Sequence, residues 1–335
     1  MHNLRAITKL AMRGSLASLI ALGLTAASSW SAQAAWKPTG PVQIMVHTKP
    51  GSSPDVIART VQKIWKEHGI VTVPVTVLNK STQAVGFAYL LQHKGDPTKL
   101  TISSTGTISA KLEDITTIGF RDLTPISLLM SEYVGFAVPA DSPYKTGKAF
   151  MEALAKNPSK FSIATGGARG NPNHTTVALA AKAAGIDPRK LKMVVFSSGA
   201  DARSAVIGKH VDAVTTSAGS LIGQMQSGLL RVIAVSSPKR LSGPLSSVPT
   251  WKEQGLDVVN ANWRWGGATG GLTADQIAYW EHVFAQTVQT KEWKNFVAKK
   301  HAETTYLNHA NTLKYFQDQE KVLKVLLSEL DLIKK

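Results

Sequence analysis

Across residues 42–69 the hydrophobic period changes from that of a strand to that of a helix over one short turn, so the stretch reads strand, loop, helix. Val42, Ile44 and Val46 alternate as in a half-buried strand, whereas Ile57, Val61, Ile64 and Trp65 recur at helical spacing and define one face. Ser53 stands where an N-cap belongs, Pro54 at the first helical position, Asp55 in the first turn and Gly69 just past the end. Such a unit leaves a helix N-terminus, with free N–H groups and the positive dipole end, facing out of a sheet edge. Anions collect at such ends. The turn itself is Thr48-Lys49-Pro50-Gly51-Ser52-Ser53. Gly51 lets backbone approach a ligand and the two serines add hydroxyl donors. An ordinary strand-to-helix connection that binds nothing has the same pattern.

The unit recurs about 120 residues later, where residues 161–165 alternate and Gly166-Gly167-Ala168-Arg169-Gly170-Asn171-Pro172-Asn173 form a turn. His174 then opens an Ala-rich helix over 174–184, closed by Gly185. Two such units predict two α/β lobes, each offering a helix N-terminus, and if the lobes face each other both termini line one cleft. Between them, residues 71–78 read as a strand ended by Asn79-Lys80-Ser81-Thr82, and 84–93 as a helix broken by Gly95-Asp96-Pro97. Residues 100–103 read as a strand running into Ser104-Thr105-Gly106-Thr107. Residues 126–130 and 133–138 give two more strand-like runs, and 147–155 a helix. Later, Val194-Val195-Phe196 feeds Ser197-Ser198-Gly199-Ala200-Asp201, and a strand over 209–215 ends near Ser217-Ala218-Gly219. In an open α/β sheet, loops beyond the carboxyl ends of strands are where ligands bind. The continuous apolar run 230–236 suits a return crossing between lobes. Thr273-Ala274-Asp275-Gln276 is a capping box opening a helix that turns Ile277, Trp280 and Phe284 to the core. A helix from Thr290 and another over 311–332, with Leu323, Leu326, Leu327 and Leu330 as its stripe, complete the architecture. The expected lobes are 36–136 plus 237–335, and 137–236.

Residues 1–34 stand apart. Arg5, Lys9 and Arg13 without an acid precede an apolar core over 14–27, and Ala32-Gln33-Ala34 matches a cleavage site, which predicts a secretory signal. The apolar run is too short and too rich in Gly and Ser for a membrane span. Cleavage leaves 301 of the 335 residues, enough for two domains, and lowers the formal charge by three, from +16 to +13. There is no cysteine, so disulfides, thiolate metal sites and a lipid-anchored N-terminus are excluded. A Gram-negative periplasm is expected. The basic balance favours anionic partners, but not nucleic acid: Lys and Arg are scattered among acids, and no run of five or more occurs.

No enzyme constellation assembles. There is no Gly-x-Ser-x-Gly elbow, Ser-x-x-Lys, Walker loop or His-Glu-x-x-His, so no catalytic residue, metal or cofactor is assigned. His174 is a candidate base or a structural residue of a first helical turn, and His47 a ligand contact or a strand-end histidine. Asp55, Asp201 and Asp212 invite a metal reading, yet Asp55 and Asp201 lie at helix starts, where a carboxylate contributes about 0.3–1 kcal/mol by capping. Trp263 and Trp265 flank Arg264, either to stack on a ring-bearing ligand or to pack in the core.

The ordered set of motifs resembles the receptors of the tripartite tricarboxylate transporter family, the Bug proteins, over essentially the whole chain. It comprises Gly51-Ser52-Ser53-Pro54-Asp55, Asn79-Lys80, Asp141-Ser142-Pro143 with Lys145-Thr146, and the Gly-rich turn before His174. Gly199-x-Asp201 leading to Gly208-x-x-Val211-Asp212, Arg231-Val232-Ile233-Ala234-Val235-Ser236 with Lys239-Arg240, and Val248-Pro249-Thr250-Trp251-Lys252-Glu253-Gln254-Gly255 followed by Trp263 complete it. The resemblance implies an α/β, two-lobed periplasmic-binding-protein fold of type II-like form, each lobe a mixed sheet flanked by helices. It also implies a small organic anion, a carboxylate, held in the cleft largely by backbone N–H groups and waters of the first loop and of residues 167–173. The ligand-binding residues expected on this basis are Thr48, Lys49, Pro50, Gly51, Ser52, Ser53, Asp55, Ser104, Thr105, Gly106, Gly167, Ala168, Gly170, Asn171, Asn173, His174, Ser197, Ser198, Asp201, Ser217 and Ala218. The implied protein is a monomeric transport receptor serving the membrane subunits of such a transporter. A sensing protein of the same fold and a secreted hydrolase are the alternatives. Lys49 stands where the family has proline, and its ammonium reaches either into the cleft or out to solvent.

Overall fold

The computed structural model describes residues 36–166, 169–196 and 198–333; the signal segment expected over 1–34, and the candidates Gly167, Ala168 and Ser197, lie outside them. In chain order the elements are β1 (Val42–Val46), α1 (Ser53–Glu67), β2 (Val75–Asn79), α2 (Gln83–Gln92), β3 (Lys99–Ser104) and α3 (Gly106–Leu112). The long strand β4 (Leu123–Pro139) follows, then α4 (Gly147–Lys156), β5 (Ser162–Gly166), α5 (Pro172–Ala183), β6 (Lys192–Phe196), α6 (Gly199–Ile207), β7 (Ala213–Ser217) and α7 (Ile222–Gln226). The chain closes with β8 (Leu230–Val235), β9 (Ala261–Thr269), α8 (Ala274–Gln289), α9 (Lys291–Lys299), β10 (Glu303–Leu307) and α10 (His309–Glu329).

The strands join in the order β2-β1-β3-β9-β4-β7-β5-β6, with β10 and β8 also on β4. Two halves of one pattern are visible. In the first, β1 lies between β2 and β3 and is parallel to both; in the second, β5 lies between β6 and β7 and is parallel to both. The chain leaves each central strand to one side and returns on the other. This makes the carboxyl ends of β1 and β5 topological switch points, where an open α/β sheet leaves a crevice. The recurrence expected from the sequence is thus built into the strand order.

The two strand-like runs at 126–130 and 133–138 are one strand. β4 is buried along its length except at Glu132 and Pro139, and its first part pairs antiparallel with β9 while its second pairs with β7 and β8. No turn residue separates the runs, and the polar pair Ser131-Glu132 only marks where β4 passes from one half to the other. The return is made by β9, because β8 stays against residues 135–139. Trp251, Leu256 and Val258 pack with Phe136, Phe150 and Ile163 in the second half, whereas the expectation took the chain back to the first lobe at 237.

Trp263 and Trp265 are fully buried in the first core with Met45, Phe87, Leu128 and Phe316, so neither is placed to stack on a ligand. The face of α1 is as expected: Ile57, Val61, Ile64 and Trp65 are all at most 1% exposed. Trp65 stacks on Trp280 at 5.6 Å and donates to Thr287 Oγ1 at 2.7 Å. The capping box of α8 forms, with Thr273 N–H donating to Gln276 Oε1 at 2.8 Å. Trp280 and Phe284 face the core while Ile277 and Leu330 are only half-buried.

Candidate functional site

The first loop is built by a carboxylate. Asp55 is 1% exposed and accepts from Gly51 N–H at 2.8 Å, Asn79 Nδ2 at 2.9 Å and Arg59 Nε at 3.1 Å. Asn79 Nδ2 also reaches the Thr48 carbonyl at 3.0 Å, which ties the end of β2 to the turn after β1. Burial pushes the Asp55 pKa up, but the hydrogen bonds from Arg59, Gly51 and Asn79 outweigh it and hold the group below its ordinary value. Asp55 is therefore an ionised brace that shapes the turn. Gly51 makes the turn possible, with φ +81°. Ser52, one residue earlier than expected, is the N-cap, and its hydroxyl donates to Thr48 Oγ1 at 2.5 Å instead of capping the helix. Lys49 and Pro50 are exposed.

The second loop repeats the logic with neutral groups. Asn171 caps α5, accepting from His174 N–H at 3.1 Å and donating to the Gly166 carbonyl at 2.8 Å. Gly170, at φ +76°, donates its N–H to His174 Nδ1 at 3.0 Å. His174 is buried, and burial together with the charge of Arg169 lowers its pKa to about 4; it is a neutral strut of the turn. The Asn173 carbonyl accepts from Thr215 at 3.0 Å, which fixes α5 on β7. A Cβ on Gly166 would lie 2.2 Å from Gly199 N, so the end of β5 packs directly on the start of α6. There Ser198 caps α6 and exchanges hydrogen bonds with Asp201 at 2.8 and 3.2 Å. Asp201 thus has a capping role. Ala218 is buried, and the Ser217 carbonyl is taken by Ser220 at 2.7 Å.

Ser104-Thr105-Gly106-Thr107 is not an open loop: Thr105 passes at once into α3. Thr105 is buried, and its hydroxyl donates to Asn262 Oδ1 at 3.1 Å. Asn262 and Arg264 sit on the face of β9 opposite Trp263 and Trp265, with Arg264 in register with Ser104 on β3 and Met130 on β4. Arg264 Nη2 lies 2.7 Å from Glu132 Oε2 and 3.5 Å from Ser53 Oγ, in the first turn of α1. His47, at the end of β1, shares a 2.8 Å hydrogen bond with Ser103 Oγ. Its pKa falls to about 4 through burial and, less strongly, the Arg264 charge, opposed by a backbone hydrogen bond.

The structure therefore joins Thr48, Gly51, Ser52, Ser53 and Asp55 into one turn, links Ser53 and Thr105 through Arg264 and Asn262, and joins Gly170, Asn171 and His174 into a second turn. The halves touch where a Cβ on Gly170 would lie 2.4 Å from Glu113 Oε1 at the end of α3 and where Lys182 of α5 pairs with Glu329 of α10 at 2.6 Å, while Asn260 Nδ2 donates to Thr175 and Thr176 of α5 at 2.9 Å within the second half. Glu132, Asn262 and Arg264 escaped the reading of the sequence as site residues. The alternation through Asn262-Trp263-Arg264-Trp265 carried the signal, since two tryptophans on a buried face put the arginine on the other.

A hollow of about 440 Å³ lies between the far end of α5 and the end of α10. Its Lys182 and Arg189 are already paired with Glu329 and Asp187 at 2.6 and 2.7 Å. Among the described residues no group of three or more His, Cys, Asp or Glu is arranged to hold a metal, and no helix is long and apolar enough to cross a membrane.

A family model described as the tripartite tricarboxylate transporter family receptor matches residues 57–332. A Cupriavidus necator protein from the gbd 5' region is 25% identical over 328 residues, covering 97% of this chain and 98% of that one. Among solved structures, a TctC solute-binding protein from Polaromonas superposes with a TM-score of 0.76 at 23% identity, covering 88% of this chain and 99% of that one. An adipate-bound R. palustris protein gives 0.72 at 17% identity, over 88% and 98% of the two chains. The malate-bound Rhodopseudomonas palustris MatC gives 0.62 at 19%, over 89% and 100%. These likenesses extend the two-lobed binding-protein fold to this chain.

Proposed function

The chain belongs to the tripartite tricarboxylate transporter receptor family, and we propose that it is a periplasmic receptor that takes a small organic anion, a carboxylate, between its two halves and delivers it to the membrane subunits of such a transporter. The observation that carries this reading is the pair of switch points: α1 and α5 both begin at the carboxyl end of a central strand, on either side of the β4 and β9 crossing. The positive dipole ends of two such helices, with first-turn N–H groups that have no acceptor within the helix, suit one carboxylate held largely by neutral donors. Malate and adipate in two structural neighbours support aliphatic dicarboxylates as the first class to test. Residues 1–34 act in this reading as the export signal. The bodies that move are residues 36–132 with 261–333, and residues 133–260, closing by a hinge in β4 and β9. A thermal-shift screen against organic acids tests the reading: a ligand at 100 times its dissociation constant adds about 2.7 kcal/mol and raises the melting temperature. A panel of aliphatic and aromatic acids that leaves the transition unmoved would contradict it.

A further inference from the structure

Arg264 is 5% exposed, and the arrangement around its guanidinium is incomplete. Nη1 is taken by Asn262, through its side-chain and backbone oxygens, and by the Trp263 carbonyl at 3.3 Å. Nη2 holds Glu132 at 2.7 Å and touches Ser53 Oγ only at 3.5 Å, while Nε has no hydrogen-bond partner among the described residues. A buried ion pair with an unmet donor is a poor way to stabilise a fold, since packed apolar side chains of similar volume do as well or better. Its place explains it better. The guanidinium stands at the first turn of α1, beside the Thr105–Asn262 hydrogen bond and close enough to His47 to depress its protonation.

We propose that Arg264 is the charged recognition residue for a ligand carboxylate and that Glu132 is its resting counter-ion, which the incoming carboxylate replaces. The inference rests on the receptor reading above and adds to it a residue, a charge and a competitor. A planar carboxylate matches the guanidinium fork, and it can engage the open Nε–H and take the place of the long Ser53 contact. Glu132 is the one residue within β4, short of its terminal Pro139, that is not buried, and so is the side chain best placed to yield. Two negative groups competing for one arginine make the effects of the two substitutions opposite in sign, which a purely structural pair does not do.

The test is calorimetric titration of the folded protein with adipate and with malate. Glu132→Gln, which removes the competitor and keeps the shape, should tighten binding about tenfold. The double variant Glu132→Gln with Arg264→Gln leaves no unpaired buried charge and should fold, as circular dichroism will verify, yet bind about tenfold or more weakly than wild type. Wild-type affinity, within threefold, in both variants would overturn the inference while leaving the receptor reading intact. Absence of binding by the wild type to either acid would overturn the dicarboxylate reading and the inference together.

Discussion

Replacement of Asp55 by alanine is expected to lower stability by about 2–3 kcal/mol and to weaken ligand binding more than tenfold. The carboxylate is buried and satisfies a backbone N–H, an amide and part of a guanidinium at 2.8–3.1 Å. Deleting it leaves the Gly51 N–H and the Asn79 Nδ2 short of a partner in a turn that cannot otherwise hold φ +81° in place. Arg59 contributes less than the geometry implies, because its side chain is 51% exposed and solvent screens it. Asp55→Asn keeps one acceptor and should fall between the two. Urea unfolding and calorimetry on the same preparations check both numbers; an alanine variant with wild-type stability would show that the turn does not depend on this brace.

Stability is expected to fall by about 1 kcal/mol per pH unit as pH drops from 6.5 to 4.5. His47 and His174 titrate near 4 in the folded chain and at an ordinary 6.5 when unfolded. In that window the unfolded chain binds about two more protons at these sites, so stability rises with pH. Glu113 works the other way: burial raises it to about 7 from 4.5, so the folded chain keeps its proton and loses stability as pH rises through the same range. Two groups against one leave a net difference of about one proton, and about 1.4 kcal/mol per unit is the ceiling for one proton. Calorimetric scans at pH 4.5, 5.5 and 6.5 should show the melting temperature climbing. Glu113→Gln should steepen the slope to about 2 kcal/mol per unit and His174→Gln should flatten it. A slope that neither variant alters would assign the pH dependence to other groups.

What the sequence made legible was local. β1 with α1 and β5 with α5 could be read because the change of period, the Pro in the first turn and the glycines all fall within a few residues of one another. The line of β4 could not, since Ser131-Glu132 resembles a break, and only pairing with β9 shows that the strand runs through. β9 was hidden for a related reason. Gly266 and Gly267 weaken its strand character, yet they are required because a Cβ on Gly266 would lie 2.4 Å from the Phe284 ring. The Arg264 site exists only through long-range register, with Ser104, Glu132 and Ser53 brought to it from separate strands and a helix. No spacing in the chain encodes that meeting. The position of residues 251–258 was set in the same way, by a tryptophan whose packing partners lie on β4, α4 and β5.

The central claim is that the turns at 48–53 and 169–174 serve one anion. Titration of uniformly nitrogen-labelled protein with an acid selected by thermal shift, followed by amide proton–nitrogen spectra, tests it most directly. The account predicts that the amides of Gly51, Ser52 and Ser53 and those of Gly170, Asn171 and His174 shift together and saturate with one dissociation constant. Shifts confined to one turn, or two turns that saturate at different concentrations, would contradict it.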